Sequence, residues 1–118
     1  MTETKARDLF PGAVEMMVLR LLKQQPMHGY ALVQRIQQAS NDLLQVEEGS
    51  LYPALYRMTR RGWIKGVWGV SENNRRAKYY HLTAEGKRQF QEQTSGWQRF
   101  AAAVTQAVGT VTAPNWAS

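Results

Sequence analysis

The chain has 118 residues, of which 43% are hydrophobic, and a net charge of +6. This composition fits one folded domain rather than a disordered chain, and the lack of cysteine excludes disulfides, cysteine zinc sites and thiol catalysis. No apolar run approaches the roughly 18 residues of a membrane span, and residues 1–8 lack a signal-peptide core, so we expect a cytoplasmic protein associated with the nucleoid.

The first helix is predicted to open at Pro11 and Gly12, after a polar arm at residues 1–9, and to end before Pro26. Its apolar residues repeat at the spacing of a buried helical stripe. Met16 and Leu19 add apolar surface on a second side. A helix that is apolar on two sides contacts both its own core and a partner, so we expect a second copy of the chain to pack here.

The second helix is predicted from about His28, as its cap, to Ser40, and the third from about residues 48–50 to Gly62. On a helical wheel the third helix has two faces. One is apolar and carries Leu51, Leu55 and Met58. The other carries glycine, hydroxyl groups, one aromatic ring and arginines, which is the chemistry of a helix that reads the major groove of DNA.

Two β-patterned segments follow, Trp63–Val70 and Ala77–Leu82, and a basic turn at residues 71–76 joins them. Thr83 is predicted to cap a last helix that runs to about Val108. Residues 109–118 are expected to form a flexible tail. The order of elements predicts a mainly α protein with a small β-hairpin: a winged helix-turn-helix at residues 10–82 and a long C-terminal dimerisation helix at residues 83–108.

The positive charge is concentrated in one part of the chain. Nine basic and two acidic residues lie between Arg57 and Arg88, so this stretch carries more net charge than the whole molecule. A solvated basic face is the ordinary interpretation of such a run. Here the charge falls on the third helix, the hairpin and the start of the last helix, which favours binding to a polyanion.

Four segments, in this order and spacing, resemble the PadR family of bacterial transcriptional regulators. They are Pro26-Met27-His28-Gly29-Tyr30-Ala31-Leu32, Gly49-Ser50-Leu51-Tyr52-Pro53-Ala54-Leu55, Arg61-Gly62-Trp63-Ile64, and the run from Arg76 to Gly86. The resemblance covers about residues 10–100 and implies a dimeric DNA-binding repressor, often released by a small molecule, of the small subfamily with one C-terminal helix. Trp63 and the Arg60-Arg61 pair depart from the usual pattern, and the arginines should strengthen phosphate binding and weaken discrimination.

The candidate DNA contacts follow from the outward face of the third helix and from the basic hairpin. They are Ser50, Pro53, Tyr56, Arg57, Arg60, Arg61, Arg75, Arg76 and Lys78. For Arg57 and Arg60 the alternative is that one of them only pairs with a local acid, and for the uncharged residues it is simple solvent exposure. Tyr30 and Tyr52 are predicted to pack in the core with satisfied hydroxyl groups.

Trp97, with Phe100 three residues later, is predicted to lie in a dimer interface. The sharper hypothesis is that Phe10, Met17, Trp97 and Phe100 form a pocket for a small aromatic effector at the dimer axis. We predict no catalytic residue, no metal site and no cofactor, because the two histidines are far apart and no nucleophile–base pair or glycine-rich phosphate loop is present.

The sequence therefore predicts a homodimeric repressor, and not an enzyme, that binds a palindromic operator with half-sites about 34–36 Å apart. Two alternatives stay open: a winged helix that binds nucleic acid without sequence preference, and one whose basic face meets an acidic protein.

Overall fold

The computed structural model describes residues 12–41, 44 and 46–109. These residues form four α-helices and one antiparallel sheet of three strands. In chain order the elements are α1 (Ala13–Gln24), β1 (Met27–His28), α2 (Gly29–Ala39), α3 (Glu48–Arg60), β2 (Ile64–Val70), β3 (Arg76–Leu82) and α4 (Ala84–Val108). The predicted fold class is confirmed. The arm at residues 1–9, and the tail apart from Gly109, lie outside the described residues.

The sheet contains one strand that the sequence did not reveal. The strand order is β1-β3-β2, and Met27 and His28 pair with Tyr80 and Tyr79 of β3. A two-residue strand is too short to show an alternating pattern, so only the pairing identifies it. His28 also begins α2, as predicted, because its Nδ1 accepts a hydrogen bond from the backbone N–H of Ala31 at 3.2 Å.

The three short helices and the base of the sheet enclose one hydrophobic core. Each of α1, α2 and α3 contributes its apolar stripe, as the helical periodicity predicts. Among the most buried side chains are Val18, Leu19, Leu32, Ile36, Leu51, Leu55, Met58 and Ile64. Leu19 corrects one prediction: it is fully buried in the core of the single chain, so on the second side of α1 only Met16 is left partly accessible.

The two tyrosines predicted to lie in the core are exposed instead. Tyr30 is 55% and Tyr52 is 45% accessible. Tyr52 sits beside the apolar face of α3, but its ring lies over Gly29, at the first residue of α2. Because Gly29 has no side chain to enclose the ring, the ring covers the backbone and keeps its other side in solvent.

Thr83 ties the last helix to the rest of the fold. Its hydroxyl oxygen accepts from the N–H of Gly86 at 3.0 Å, as predicted for the cap, and lies within donating distance of the carbonyl oxygens of Gly62 and Trp63. From this cap α4 packs along α1. Among the described residues, no helix has the length and apolar character that would let it cross a membrane.

Candidate nucleic-acid interface

The outward face of α3 borders a cleft of about 330 Å³ beside the start of α1. Ser50, Pro53 and Arg57 line it from α3, together with Gly49 and Glu15. A Cβ atom on Gly49 would meet no atom within 4 Å, so nothing on this side crowds the surface of the helix. Small residues beside an arginine leave room for the close approach that contacts to base edges require.

Arg57 is held by an acid from another helix. Its Nη2 donates to Oε1 of Glu15 at 2.8 Å. The side chain of Glu15 is only 13% accessible, whereas that of Arg57 is 52% accessible. A guanidinium group has five N–H donors in a planar fork, so this bond fixes one edge and leaves donors on the solvent side.

The C-terminal part of α3 presents an aromatic ring and a second cation. Tyr56 is 63% accessible, and the guanidinium carbon of Arg60 lies 5.8 Å from the centroid of its ring. Arg61 is placed differently, because it is the residue that caps α3 and its guanidinium stacks on Trp63 at 5.2 Å. The helix therefore carries Arg57 and Arg60 on its exposed surface, while Arg61 lies at its end.

The pleat of the hairpin separates its side chains into two faces. In the register of β2 with β3, Trp68 lies opposite Lys78, Val70 opposite Arg76 and Gly66 opposite Tyr80. These residues share one face of the wing, which is the hairpin β2–β3. Near the base of the wing, this face enters the core through Ile64 and Tyr80. Towards the tip, the same face carries an exposed indole and two cations.

Trp68 is the centre of this cation–aromatic cluster. It is 57% accessible, and the guanidinium carbon of Arg76 lies 4.4 Å from its ring centroid. Lys78 Nζ lies 6.0 Å from the ring centroids of both Trp68 and Tyr80. Contacts of this length orient the cations without neutralising them, so the wing keeps its positive charge for a polyanion.

A larger cleft, of about 850 Å³, lies between the wing and the start of α2. The wing contributes Trp68, Arg76 and Lys78 to its walls, and the helices contribute Tyr30 and Tyr52. Tyr80 lies between the two sides. Burial, with a smaller effect of the neighbouring Tyr52, raises the pKa of Tyr80 above its ordinary value of 10.0, so its phenol is neutral at physiological pH.

Two clefts thus bring together most of the predicted DNA contacts. Ser50, Pro53 and Arg57 line the first, and Arg75, Arg76 and Lys78 line the second. Sequence reasoning missed four residues that share these clefts: Glu15, Tyr30, Tyr52 and Trp68. A tryptophan in a β-patterned segment beside a basic turn was a usable signal for Trp68. The partnership of Glu15 with Arg57 spans 42 residues, and no local pattern reveals it.

The predicted effector residues are only partly brought together. Met17 and Trp97 line an almost wholly apolar cavity of about 300 Å³ between α1, α2 and α4, with Ile36 and Phe90. Phe100 is outside that lining, but its ring stacks on Trp97 with the centroids 6.1 Å apart. Phe10 lies outside the described residues. The hydroxyl oxygen of Thr94, on the same cavity, is buried and has no hydrogen-bond partner among the described residues.

Known proteins are similar to this chain in both sequence and fold. The family model described as the transcriptional regulator PadR-like family matches residues 18–92. A transcriptional regulator from Clostridium thermocellum is 27% identical and superposes with a TM-score of 0.79, covering 86% of this chain and 96% of that one.

A PadR-like transcriptional regulator from Bacillus cereus is 28% identical, with a TM-score of 0.75 and coverage of 88% and 99%. An uncharacterised protein from Lysinibacillus sphaericus is 28% identical over 90 residues, which are 76% of this chain and 83% of that protein.

Proposed function

The chain belongs to the PadR-like family of transcriptional regulators, which bind DNA, and from that premise we propose that it is a homodimeric repressor that reads a palindromic operator. The observation that carries the proposal is the combination on one molecule of a cleft beside Arg57 on α3 and a basic wing. The first suits base edges in the major groove, and the second suits the neighbouring backbone or minor groove.

The assignment of roles follows from exposure and chemistry. Arg57 and Arg60, with Ser50, Pro53 and Tyr56, face the major groove, and Arg61 contacts the backbone at the end of α3. Arg75, Arg76 and Lys78 contact phosphates or the minor groove. The charged wing supplies affinity for any sequence, and the donors of Arg57 supply preference for guanine.

A homodimer is supported by a solvent-exposed apolar row on α4. Trp97, Phe100, Val104 and Val108 are between 40% and 66% accessible, and their spacing places them along one side of the helix. Covering such a row with the same row of a second copy, together with Met16 of α1, removes it from water and places two reading heads on one operator. Sedimentation equilibrium tests the dimer directly.

The effector is supported by the apolar cavity at Met17 and Trp97. Its volume of about 300 Å³ is at the lower end of the size of small-molecule pockets. A flat aromatic compound would stack on Trp97 there. Because the cavity touches α1, α2 and α4, ligand binding there would shift the dimerisation helix against the DNA-binding helices.

Fluorescence anisotropy tests the proposed function, with the DNA upstream of this protein's own gene as the probe. The control is a scrambled duplex of equal length, and both are titrated across a salt series. We expect tight binding to the upstream DNA at about 150 mM salt, with a preference of about 10³-fold or more. In vitro transcription from the same template should fall as the protein is added.

The other outcomes identify the competing functions. Equal binding to both duplexes with a steep salt dependence would indicate a general nucleic-acid binder. Feeble binding that disappears by physiological salt would indicate that the basic face meets an acidic protein.

A further inference from the structure

Three large aromatic side chains that are exposed to solvent converge on the cleft between the wing and α2. Tyr30 is 55%, Tyr52 45% and Trp68 57% accessible, and all three line it. Single exposed rings are common on protein surfaces, but a group of them around one concave surface indicates a binding site. Of the charged residues in the lining, Arg75, Arg76 and Lys78 are basic, and Glu72 at the tip is the single acid.

Two glycines let the side chains of this cleft sit close to the backbone. A Cβ atom on Gly29 would lie 2.6 Å from the hydroxyl oxygen of Tyr52 and 2.8 Å from its ring, so only glycine admits the tyrosine at the start of α2. A Cβ atom on Gly66 would collide with the stem of Lys78. The lysine therefore lies across β2, between the rings of Trp68 and Tyr80. The cleft is shaped before any ligand arrives, which lowers the entropy lost on binding.

The position of the cleft selects its ligand, and this step rests on the proposed function. If α3 occupies the major groove and the wing tip reaches the adjacent minor groove, the strand that separates those grooves must pass between the two elements. The cleft occupies that position, because Tyr52 belongs to α3 and Trp68, Arg76 and Lys78 belong to the wing. What separates the grooves of a duplex is the sugar–phosphate backbone, which is anionic and accepts hydrogen bonds.

We propose that the cleft between the wing and α2 binds the sugar–phosphate backbone of one DNA strand, and that the hydroxyl groups of Tyr30 and Tyr52 donate to its phosphates. Lys78 and Arg76 supply the charge from the opposite wall. The tyrosines add hydrogen bonds that carry no charge and no sequence information, so they set the register of the protein on the duplex. The proposed contact thus combines two uncharged tyrosines with two cations.

The test removes one hydroxyl group at a time and one phosphate charge at a time. Tyr30→Phe and Tyr52→Phe keep the rings, and Tyr79→Phe is the matched control, because Tyr79 lies on the opposite face of the wing and its hydroxyl donates to the carbonyl oxygen of Val70. Anisotropy is measured with the upstream duplex and the scrambled duplex. A second set of duplexes carries a single neutral methylphosphonate linkage, moved along each strand.

We expect each of the two variants to bind both duplexes about 3- to 10-fold more weakly, while the ratio between the duplexes and the salt slope stay unchanged. At one or two neighbouring linkages, neutralisation should weaken the wild-type protein and have a smaller effect on the variants. Such coupling, absent from Tyr79→Phe, places the hydroxyl groups on those phosphates.

Two results would overturn the inference: wild-type affinity in both variants, or effects of substitution and neutralisation that simply add at every linkage. Equal wild-type affinity for both duplexes would refute sequence reading but not the cleft, because the coupling appears with either duplex. A wild-type protein that binds neither duplex would refute both proposals.

Discussion

Arg57 on α3 and Glu15 on α1 form an ion pair with 2.8 Å between Nη2 and Oε1, across 42 residues of sequence. The side chain of Glu15 is nearly buried and that of Arg57 is half exposed. Glu15 therefore holds the guanidinium group from the protein side, and the rest of that group faces solvent. Such a pair restricts the rotamers of the arginine and presents a fixed edge of the guanidinium group. On the role proposed above for Arg57, we expect Glu15 to position its guanidinium group for contact with base edges.

Glu15→Gln should relax sequence preference. The neutral amide holds Arg57 less firmly, and the loss of a negative charge beside the DNA raises affinity for every sequence. We expect the ratio of affinities for operator and scrambled DNA to fall about 3- to 10-fold, mainly because scrambled DNA binds better. Glu92→Gln is the control, since Glu92 pairs with Arg88 on the exposed side of α4. Equal ratios for Glu15→Gln and wild type would show that the pair is only structural.

Trp68→Ala should weaken binding to all DNA sequences alike. The indole supports Arg76 at 4.4 Å, and its removal frees a long side chain that must then be ordered by the DNA. We expect a loss of about 2- to 5-fold on both duplexes, with Trp68→Phe recovering part of it. Val70→Ala is the control on the same face of the wing, because Val70 is 66% accessible and has no aromatic ring on which a cation could stack. A loss as large in Val70→Ala would implicate general damage to the wing.

Leu55 and Tyr56 are neighbours on opposite faces of α3, and their substitution should separate stability from binding. Leu55 is 1% accessible, so Leu55→Ala should lower the free energy of unfolding by about 2–5 kcal/mol. Tyr56 is 63% accessible, so Tyr56→Ala should change it by about 0.5 kcal/mol or less and instead weaken operator binding. Urea unfolding and anisotropy measure the two effects. Substantial destabilisation by Tyr56→Ala would contradict the assignment of faces.

Trp97→Ala should abolish binding of a flat aromatic dye such as acridine orange, while the protein stays a folded dimer. The reason is that Trp97 lines the cavity beside Met17 and offers the ring on which such a ligand would stack. Dye fluorescence without DNA and sedimentation equilibrium give the two readouts. A dissociated or aggregated variant would show that the dimer interface requires Trp97 and would contradict a role confined to the ligand, and wild-type dye binding would place the effector site elsewhere.

Stability should fall at alkaline pH partly because of Tyr80. Burial first, and Tyr52 second, raise the pKa of this phenol in the folded protein above its ordinary value of 10.0. The favourable contribution is therefore complete below pH 10 and is lost as the pH rises through the folded-state pKa, since the unfolded chain ionises first. Urea unfolding between pH 9 and about pH 11.5 should show a smaller decline for Tyr80→Phe than for wild type. Equal declines in the two proteins would contradict this account.

Much of the fold was predictable because it depends on local sequence patterns. The apolar stripes of the three short helices, the cap at Thr83 and the basic turn at residues 71–76 each depend on residues close together in the chain. Strand β1 and the position of Tyr52 were not predictable, because they depend on what packs opposite. Strand β1 needs β3 as its partner, and the ring of Tyr52 lies over the backbone of Gly29.

The sequence by itself determined the family, the order of elements and the location of the positive charge, because motif spacing, periodicity and charge are properties of the chain. Only the tertiary structure decided which side chains share a site. Glu15 meets Arg57, and the tyrosines of α2 and α3 face the cations of the wing, because packing around one core brings distant segments within a few ångströms. Since hydrogen bonds and ion pairs act only over such distances, the two clefts exist only in the folded protein.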